Sequence, residues 1–396
     1  MKILHIALSL SPRCGGPSVA VAEMTRHQVL TGLDVTVYST NMDYPSGILD
    51  VPINRPVMIH GVRHYYFSVQ FTPLLVSLPM AIELRKTIRN YDLLHIHALY
   101  RFPTTFAAFL CRKYNIPYIV EPHGSLDPYL YKQSAHNVWA KRAYEKMFDL
   151  PNLNAASAIH FSSAEEMART DFLNLRAPGV VVPNGLHWNR FKSLPSRGGL
   201  RKRLGLADEP MILFLGRINF KKGLDLLVQA FSEVAAVLDD AVLVIAGPDN
   251  NGYAKVVHGW IAARGLSDKV YWQEMLYDDE VLEAYVDADV FVLPSYTENF
   301  GIAVVEAMAC ALPVVISDQV NISNEVSQSA AGIVVGLTSQ EIARATISIM
   351  EDKKLACRMG KAGRELAKNR YAYDHIIEQL TGVYKTIIKA LPSKRG

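Results

Sequence analysis

Residues 290–309 have the sequence VFVLPSYTENFGIAVVEAMA, and this stretch decides the fold. Its first four residues, Val290–Leu293, are apolar and predict a buried strand. A polar loop follows from Pro294 to Phe300, and an apolar run of helical spacing starts at Gly301. A continuous apolar strand that leads through a loop into a helix is typical of parallel sheets covered by helices on both faces. The stretch therefore predicts an α/β fold.

The same alternation of short apolar runs and amphipathic stretches extends along the whole chain. Helical patterns lie between the apolar runs, for example at Ser18–Leu30, Leu224–Leu238 and Ile302–Cys310. The pattern indicates doubly wound parallel sheets. The predicted strands are Ile3–Leu8, Val35–Tyr38, Leu93–His97, Tyr118–Val120, Ala158–Phe161, Val180–Val182, Met211–Leu215, Val242–Ala246, Val270–Trp272, Val290–Leu293, Val314–Ile316 and Ile333–Val335.

The chain divides at residues 184–210, a connecting segment that is rich in Gly, Pro, Lys and Arg and has no strong strand pattern. Each half opens with a strand, a Gly-containing loop and a helix: HIALSLSPRCGGPSVAVAEM in the first half and FLGRINFKKGLDLLVQAF in the second. We predict two Rossmann-like domains, residues 1–190 and 191–373, that face each other across a central cleft. Ligands of such sheets bind at the carboxyl ends of the strands, so the cleft is the predicted site.

Composition and charge exclude several classes of function. Of the 396 residues, 50% are hydrophobic and 20% charged, and no apolar run reaches the roughly 18 residues that a membrane span needs. The four cysteines are far apart, which argues against a zinc site or a disulfide framework and favours a reduced, cytoplasmic protein. Residues 1–190 carry 18 Lys+Arg and 13 Asp+Glu, an excess too mild for nucleic acid. It fits contact with an anionic membrane and an ordinary basic face equally well.

Two loops carry the residue types that bind phosphate. Arg217 and Lys222, in LGRINFKKG, follow the first strand of the second half and can contact a diphosphate; the alternative is a pair of solvated cations. Gly15 and Gly16, in RCGGPS, follow the first strand of the chain and let a diphosphate approach the backbone, although a plain tight turn explains them equally well. Neither loop is a Walker motif or the GxGxxG fingerprint of NAD enzymes.

Histidines follow or lie on strands of the first half. His123, in VEPHGSLDP, comes after an apolar run, so we expect its ring to face the cleft and to contact a sugar hydroxyl or a leaving phosphate; the alternative is a satisfied loop histidine. His95 and His97 share one face of a strand and could pass for metal ligands. No third ligand of suitable spacing is evident, and we expect packing or a polar pocket.

Carboxylates in the second half divide into two sets. Asp287 and Asp289 form a D-x-D pattern of the kind that holds a divalent metal on nucleotide sugars. Here the pair joins a helix to a strand, so we expect Asp289 to cap this junction and no metal to bind. Glu298 lies on a loop and Glu306 inside an apolar helix. An isolated buried carboxylate is costly, so we expect vicinal hydroxyls of a ligand to satisfy Glu306; an internal ion pair is the alternative.

In combination these motifs resemble the retaining glycosyltransferases of family four, over essentially the whole chain. The resemblance rests on PSYTENFGIAVVEAMACALPVV with its two glutamates eight residues apart, on Arg217 with Lys222, and on RCGGP, EPHGSLDP and VVPNGLHWNRF. One departure is Asn299, where many members have Gly. The family implies the GT-B fold of two Rossmann-like domains, in which the last helix, within residues 374–396, returns to the N-terminal domain.

The resemblance also implies a role for each site residue. Arg217 and Lys222 would bind the diphosphate, Glu306 the ribose and Glu298 the hydroxyls of the donor sugar, with His123 beside the anomeric carbon. The remaining donor contacts would come from the phosphate cradle and from the stretch that meets the base, namely Gly15, Gly16, Asn299, Phe300, Gly301, Ile302, Met275 and Leu276.

The function expected from these residues is a retaining, metal-independent hexosyl transfer from a nucleoside-diphosphate sugar, with UDP-glucose favoured. The acceptor would be a hydroxyl of a saccharide or a lipid-linked saccharide in polysaccharide or glycolipid synthesis. Residues 129–148 mix aromatic and basic side chains on a predicted helix, which fits either contact with the inner face of the cell membrane or an ordinary domain helix with a solvated face. Two alternatives stay open: a nucleotide-sugar epimerase or phosphorylase of the same fold, and a non-catalytic glycosyltransferase-like subunit.

Overall fold

The computed structural model describes residues 1–43, 47–129, 138–249 and 252–390. It divides into two compact units, Met1–Gly185 with Tyr373–Gly396, and Leu186–Ala372. The sequence places the boundaries after residues 190 and 373, which is five residues and one residue beyond those of the compact units. The reason is that Leu186 belongs to the hydrophobic core of the second unit and donates a backbone hydrogen bond to Tyr371 O at 2.6 Å.

The first unit is built on an eight-stranded sheet of order β10-β9-β8-β7-β1-β2-β6-β5. Every neighbouring pair is parallel except β5–β6, so the carboxyl ends of seven strands lie at one edge. A separate two-stranded ribbon pairs β3 with β4. The strands are β1 Lys2–Ile6, β2 Asp34–Thr40, β3 Met42–Asp43, β4 Gly47–Ile48, β5 Pro56–Ile59, β6 Val62–Phe67, β7 Leu93–His97, β8 Tyr118–Glu121, β9 Ala158–Phe161 and β10 Gly179–Val181.

Helices cover this sheet, and the last helix of the chain supplies part of the core. In this helix, α15 (Tyr373–Ala390), the side chains of Tyr373, Ile376, Ile377, Leu380 and Tyr384 are buried against residues of β1, β7, β8 and β9. Burial of this apolar stripe ties the C-terminal helix to the first unit. The helices are α1 Gly16–Leu30, α2 Leu78–Thr87, α3 Phe102–Tyr114, α4 Val138–Tyr144, α5 Leu150–Asn154, α6 Ala164–Ala168 and α15 Tyr373–Ala390, with a π-helical turn Glu145–Asp149 between α4 and α5.

The second unit has a six-stranded, fully parallel sheet of order β13-β12-β11-β14-β15-β16. The strands are β11 Met211–Leu215, β12 Val242–Ala246, β13 Val270–Gln273, β14 Val290–Leu293, β15 Val314–Ser317 and β16 Gly332–Val335. Their helices are α7 Gly199–Leu204, α8 Leu224–Val237, α9 Ala254–Ala263, α10 Asp279–Asp287, α11 Ile302–Ala309, α12 Ser323–Gln328, α13 Ser339–Glu351 and α14 Lys353–Tyr371. The strand order reverses between β11 and β14, and ligands of such sheets bind at this point.

Two features of the described residues bear on the sequence predictions. Strands β5 and β6 are not among the predicted strands, because Val62–Phe67 alternates buried with half-buried side chains and is not a continuous apolar run. No helix within the described ranges has both the length and the hydropathy that crossing a bilayer requires.

Candidate functional site

Two loops meet at the switch point of the second unit, residues 216–223 after β11 and residues 294–301 after β14. Gly223 has a left-handed φ of 67°, and a Cβ atom there would lie 2.0 Å from the carbonyl oxygen of Pro294. Only glycine allows this approach. The contact is fixed by a hydrogen bond from Tyr296 N to Lys221 O at 2.8 Å. The two loops therefore form one surface at the carboxyl edge of the sheet.

Lys222 and Glu298 form an ion pair across these loops, with side chains 19% and 18% exposed. The sequence predicts that a ligand neutralises both charges. In this structure the two side chains neutralise each other, because Gly223 brings the loops close enough for direct contact. Arg217 lies in the same loop, is exposed, and has no carboxylate within 4 Å among the described residues. The site thus offers one paired and one exposed cation.

Helix α11 begins beside this ion pair. Gly301 precedes it with a left-handed φ of 79°, and no side chain caps the helix, so its first amides remain suited to an anion. Phe300 is buried and packs edge-on against Tyr371, which holds the helix start in place. Asn299 precedes Phe300 on the loop. The helix start is where the sequence predicts it, with Ile302 as the first helical residue.

Glu306 lies one turn into α11 and accepts a hydrogen bond from the hydroxyl of Tyr285 at 3.0 Å. Burial raises the pKa of the Glu306 carboxyl, while the Tyr285 hydroxyl and the charge of Arg190 oppose this rise. Within the part of the chain that the structure describes, Glu306 makes no ion pair, so the alternative of an internal salt bridge does not hold. Sequence reasoning missed Tyr285, although a tyrosine at a buried helical position needs a partner for its hydroxyl.

The other predicted contacts of the second unit lie at the same edge of the sheet or are engaged elsewhere. Met275 and Leu276 are half-buried in the loop after β13, which is joined to the end of β12 by hydrogen bonds from Gly247 N to the carbonyls of Gln273 and Glu274.

The D-x-D carboxylates are held by protein donors. Asp287 is fully buried and accepts from the amides of Gly198 and Arg201, and Asp289 pairs with Arg197 and Arg201 and accepts from Met211 N.

In the first unit, the predicted glycine loop directly precedes α1. Gly15 has a φ of 96° and caps the helix, and its N–H donates to Pro12 O at 3.0 Å. Gly16 is exposed, and a Cβ atom at this position would meet no other atom within 4 Å. The positive φ explains glycine at position 15, whereas position 16 has no steric requirement for it.

His123 follows β8 and has a left-handed φ of 50°. Its side chain is only 5% exposed, with Nδ1 3.3 Å from Glu121 Oε1 and Nε2 3.2 Å from His97 Nδ1. The sequence predicts a ring that faces the ligand, but in this structure both ring nitrogens face buried partners. Burial lowers the pKa of His123 to about 4, so the ring is neutral at neutral pH. His95 and His97 are buried, but the expectation that no third potential metal ligand accompanies them is wrong, because the strand order brings His5, Glu121 and His160 within 4.8 Å of their ring nitrogens.

Both halves of the chain match family models. Residues 15–185 match the glycosyl transferase 4-like domain, and residues 197–366 match the glycosyl transferases group 1. The chain belongs to the group 1 glycosyltransferases of the family-four type. The family resemblance read from the motifs is therefore confirmed, and the two-domain α/β fold agrees with the GT-B fold of this family.

Known relatives of this glycosyltransferase differ in the acceptors and donors that their names give. A D-inositol 3-phosphate glycosyltransferase of Streptomyces bingchenggensis is 32% identical over 56% of this chain and 50% of its own length. A GDP-mannose-dependent alpha-(1-6)-phosphatidylinositol monomannoside mannosyltransferase of Mycobacterium tuberculosis is 30% identical over 50% and 54%. The chain thus spans about half the length of these curated relatives. An uncharacterized glycosyltransferase, MJ1607 of Methanocaldococcus jannaschii, is 25% identical over 99% of this chain and 100% of its own length.

Solved structures share the fold of the glycosyltransferase along nearly its whole length. Sucrose-phosphate synthase from Thermosynechococcus elongatus superimposes with a TM-score of 0.79 at 21% identity, covering 98% of this chain and 100% of that one. Anabaena HepE in complex with UDP and glucose gives a TM-score of 0.77 at 21% identity with the same coverage.

Proposed function

We propose that this glycosyltransferase is a retaining hexosyltransferase that uses a nucleoside-diphosphate sugar, UDP-glucose first among the candidates, without a metal ion. The observation that carries the proposal is the arrangement at the switch point of the second unit. Lys222, Glu298 and Glu306 lie on the two loops and the helix that meet at the carboxyl ends of β11 and β14. This places charges suited to phosphate and to hydroxyls at the edge where the fold binds ligands.

In the proposed complex the donor diphosphate takes the place of Glu298 as the partner of Lys222, and Arg217 adds a second cation. The amides of Gly301 and Ile302 add phosphate contacts from the same unit. Glu298, released from Lys222, accepts hydrogen bonds from the donor sugar, and Asn299 lies beside it. The exchange keeps every charge compensated during binding, which avoids the cost of a lone, partly buried ion.

Glu306 binds the ribose in this proposal. Two vicinal hydroxyls donate to one carboxylate, and the Tyr285 hydroxyl already orients one of its oxygens. The raised pKa of Glu306 reflects its burial, and two further donors would favour the ionised form again. The backbone around Met275 and Leu276 meets the base.

The proposed chemistry is a front-face displacement. The bond between the anomeric carbon and the diphosphate oxygen breaks, a bond to the acceptor hydroxyl oxygen forms on the same face, and the hydroxyl proton passes to the leaving phosphate. Lys222, Arg217 and the α11 amides stabilise the charge that develops on the diphosphate. Glu121, two residues before His123 in the sequence, is 1% exposed and surrounded by imidazoles, which argues against its use as a covalent nucleophile.

Metal independence is supported by the donor set. The carboxylates of Asp287 and Asp289 already bind arginines and amides, and the proposed site supplies cations of its own. We expect full activity in excess EDTA. A loss of activity that added Mg²⁺ or Mn²⁺ restores would reject this part of the proposal.

The proposed acceptor is a saccharide or a lipid-linked saccharide presented at the cytoplasmic face of a membrane. Of the predicted surface helix 129–148, residues 130–137 lie outside the described residues. In the described part, Trp139 is 85% exposed, Met147 63% and Phe148 41%, beside exposed Arg142 and Lys146. Exposed apolar and basic side chains on one element suit an anionic bilayer. Sedimentation with vesicles containing phosphatidylglycerol should retain the protein, and pure phosphatidylcholine vesicles should not.

A donor screen tests the function directly. The full chain is incubated with UDP-glucose, UDP-GlcNAc, UDP-glucuronate or GDP-mannose, with and without lipid-linked saccharide acceptors, and products are followed by mass spectrometry and anomeric NMR. We expect acceptor-dependent release of UDP and a product that retains the donor's anomeric configuration. An inverted product rejects the mechanism, epimerisation or cleavage of donor without acceptor favours the epimerase or phosphorylase alternative, and binding without turnover favours a non-catalytic subunit.

A further inference from the structure

Five histidines surround one carboxylate at the carboxyl edge of the first unit's sheet. They come from three strands and the loop after β8, and their side chains are almost completely buried, as is that of Glu121 on β8. We call this group the imidazole cluster; its histidines are His5, His95, His97, His123 and His160. The family resemblance gives a role only to His123, beside the anomeric carbon of the donor sugar, so the other four histidines and Glu121 have no role so far.

Glu121 lies at the centre of the imidazole cluster. Its Oε2 is 3.0 Å from His97 Nδ1, 3.4 Å from His160 Nδ1 and 3.6 Å from His95 Nε2. Its Oε1 lies 3.3 Å from His123 Nδ1 and accepts no aligned hydrogen bond within the described residues. Catalytic hydrogen bonds are often poorly aligned without substrate and tighten in the substrate complex.

The cluster continues into a closed chain of hydrogen bonds. His160 Nε2 donates to Val182 O at 2.7 Å, and His160 Nδ1 is 3.3 Å from His95 Nε2. The chain then passes through the Tyr384 hydroxyl and the Gln28 side chain before it returns to the carboxylate. The linking distances are 2.7 Å from His95 Nδ1 to Tyr384, 3.1 Å from Tyr384 to Gln28, 2.8 Å from Gln28 to His5 Nε2, and 2.9 Å from His5 Nδ1 to His97 Nε2.

Counting donors shows that this series of hydrogen bonds needs one proton more than neutral imidazoles and an ionised carboxylate supply. When the Gln28 amide oxygen faces His5, it accepts from His5 Nε2–H, and His5 Nδ1 accepts from His97 Nε2–H. His97 Nδ1 then carries no proton and faces Oε2 of Glu121. With the amide reversed, His97 donates to Oε2, but His95 and His160 then face each other with bare nitrogens. One further proton closes the first orientation on His97 and the reversed orientation on His160. The reversed amide is the one in which His97 Nδ1–H donates to Oε2 while His160 Nδ1–H lies between Glu121 and His95.

We propose that Glu121 is ionised and is the positioning residue of His123, and that the proton that compensates its charge is stored on His160. The ionised Glu121 accepts from His123 Nδ1 and thereby fixes this ring as the Nδ1–H tautomer, with a lone pair on Nε2. The stored proton compensates the buried carboxylate, so that the pair is neutral as a whole. The role of His123 at the donor sugar rests on the proposed function; the tautomer and the stored proton do not.

The charges around the cluster agree with this assignment. Burial lowers the pKa of His160, but Glu121, the Val182 carbonyl and Glu166 together raise it above its usual value. Burial raises the pKa of Glu121, but the surrounding histidines hold it well below its usual range. Burial lowers the pKa of His5, His95 and His123. The other titratable groups that face the cluster are Glu166, Tyr373 and Tyr384, with the neutral Gln28.

Nitrogen NMR of the wild-type chain labelled with ¹⁵N-histidine tests the proposal directly. At pH 7.5 we expect one buried imidazolium and an Nδ1–H tautomer for His123, assigned with His160→Gln and His123→Gln. The imidazolium signal should disappear in His160→Gln. Neutral rings throughout the cluster, an Nε2–H tautomer for His123, or one equivalent of bound zinc in the purified protein would each overturn the proposal.

Glu121→Gln tests the positioning role, with Asp149→Asn as a control that removes another buried carboxylate from the same unit. We expect Glu121→Gln to abolish the imidazolium, to mix the His123 tautomers and to lower kcat about 10- to 100-fold, with the Kd for UDP within twofold of wild type. The control should change none of these. An unchanged kcat in a folded Glu121→Gln variant overturns the positioning role, whereas a wild-type chain with no transfer activity overturns the proposed function and leaves the NMR result to decide the rest.

Discussion

At the scale of single residues, the ion pair between Lys222 and Glu298 connects the fold to the proposed chemistry. Lys222→Ala removes the cation proposed to stabilise the leaving diphosphate and leaves Glu298 unpaired. We expect a loss of about 2–4 kcal/mol of transition-state stabilisation, comparable to the removal of one oxyanion donor. This corresponds to a fall in kcat/KM of roughly 30- to 1,000-fold. Steady-state kinetics with Lys221→Ala as the neighbouring control measures it, and equal kinetics in the two variants would refute the role.

The hydrogen bond from Tyr285 to Glu306 gives a second prediction at this scale. Tyr285→Phe deletes only the hydroxyl that orients the carboxylate, so UDP should bind about 3- to 10-fold more weakly. Binding of 2′,3′-dideoxy-UDP should not change, because it lacks the hydroxyls that Glu306 is proposed to accept. Calorimetry with both ligands and both proteins forms a double-mutant cycle. An equal loss for the two ligands would mean that the tyrosine acts through general packing.

The sequence is informative about charged residues of this site and silent about their partners. Glu298, Glu306 and Lys222 are visible in sequence because a charge after a strand end or inside an apolar run needs an explanation. The pairing of Lys222 with Glu298 depends on the loop contact at Gly223, and the pairing of Glu306 with Tyr285 depends on how α10 packs against α11. Neither contact has a periodic signature.

At the scale of elements, Gly223 sets the distance between the two loops. Gly223→Ala combines a left-handed φ with a Cβ 2.0 Å from Pro294 O, whereas Gly205→Ala has a similar φ of 71° and no atom within 4 Å. The control should lose about 1–2 kcal/mol of unfolding free energy from backbone strain alone. We expect Gly223→Ala to lose more and also to weaken UDP binding, because the Lys222 loop must move. Urea unfolding and calorimetry compare them; equal losses with unchanged binding would show that the loop contact is dispensable.

The π-helical turn Glu145–Asp149 contains a buried carboxyl group, that of Asp149, whose titration affects stability. Asp149 is buried and accepts from Tyr100 N at 3.1 Å, and burial raises its pKa from 3.8 to about 7. Between pH 4 and 7 the folded chain keeps a proton that the unfolded chain loses, so Asp149 makes the unfolding free energy fall as pH rises. Asp149→Asn should be stabilised relative to wild type at pH 8 and lose that advantage at pH 5. A pH-independent difference between the two proteins would exclude this titration.

Sequence patterns predict most of the elements because buried parallel strands are short, continuous apolar runs. Leu93–His97, Met211–Leu215 and Val290–Leu293 have the predicted bounds. Strands β5 and β6 are not predicted because β5 is an edge strand and β6 alternates buried with half-buried side chains, so neither is a continuous apolar run. The sequence does not predict the imidazole cluster for another reason. Its members are spread over β1, β7, β8 and β9, and only the strand order makes them neighbours.

At the scale of the whole molecule, the hydrophobic core of the first unit combines residues from both ends of the chain, and the core of the second unit comes from the residues between them. The last helix, α15, contributes Leu380 and Tyr384 to the core of the first unit, while residues 186–372 form the core of the second. Tyr384 also belongs to the hydrogen-bond chain of the imidazole cluster. Folding of the first unit therefore requires the most distant part of the sequence, and the proposed positioning of His123 depends on that same helix.

A reciprocal pair of core variants tests this division. Leu380→Ala in α15 and Leu227→Ala in α8 each remove a buried leucine, at 0% and 2% exposure, and each should cost about 2–5 kcal/mol. We expect Leu380→Ala to speed hydrogen exchange in peptides from β1, β7 and β8 and to leave β11, β12 and β14 unchanged. Leu227→Ala should give the opposite pattern, because each cavity opens in the core to which its helix contributes. If both variants accelerated exchange equally in all six strands, the two cores would unfold as one cooperative unit. The prediction that the C-terminal helix stabilises the first unit alone would then be wrong.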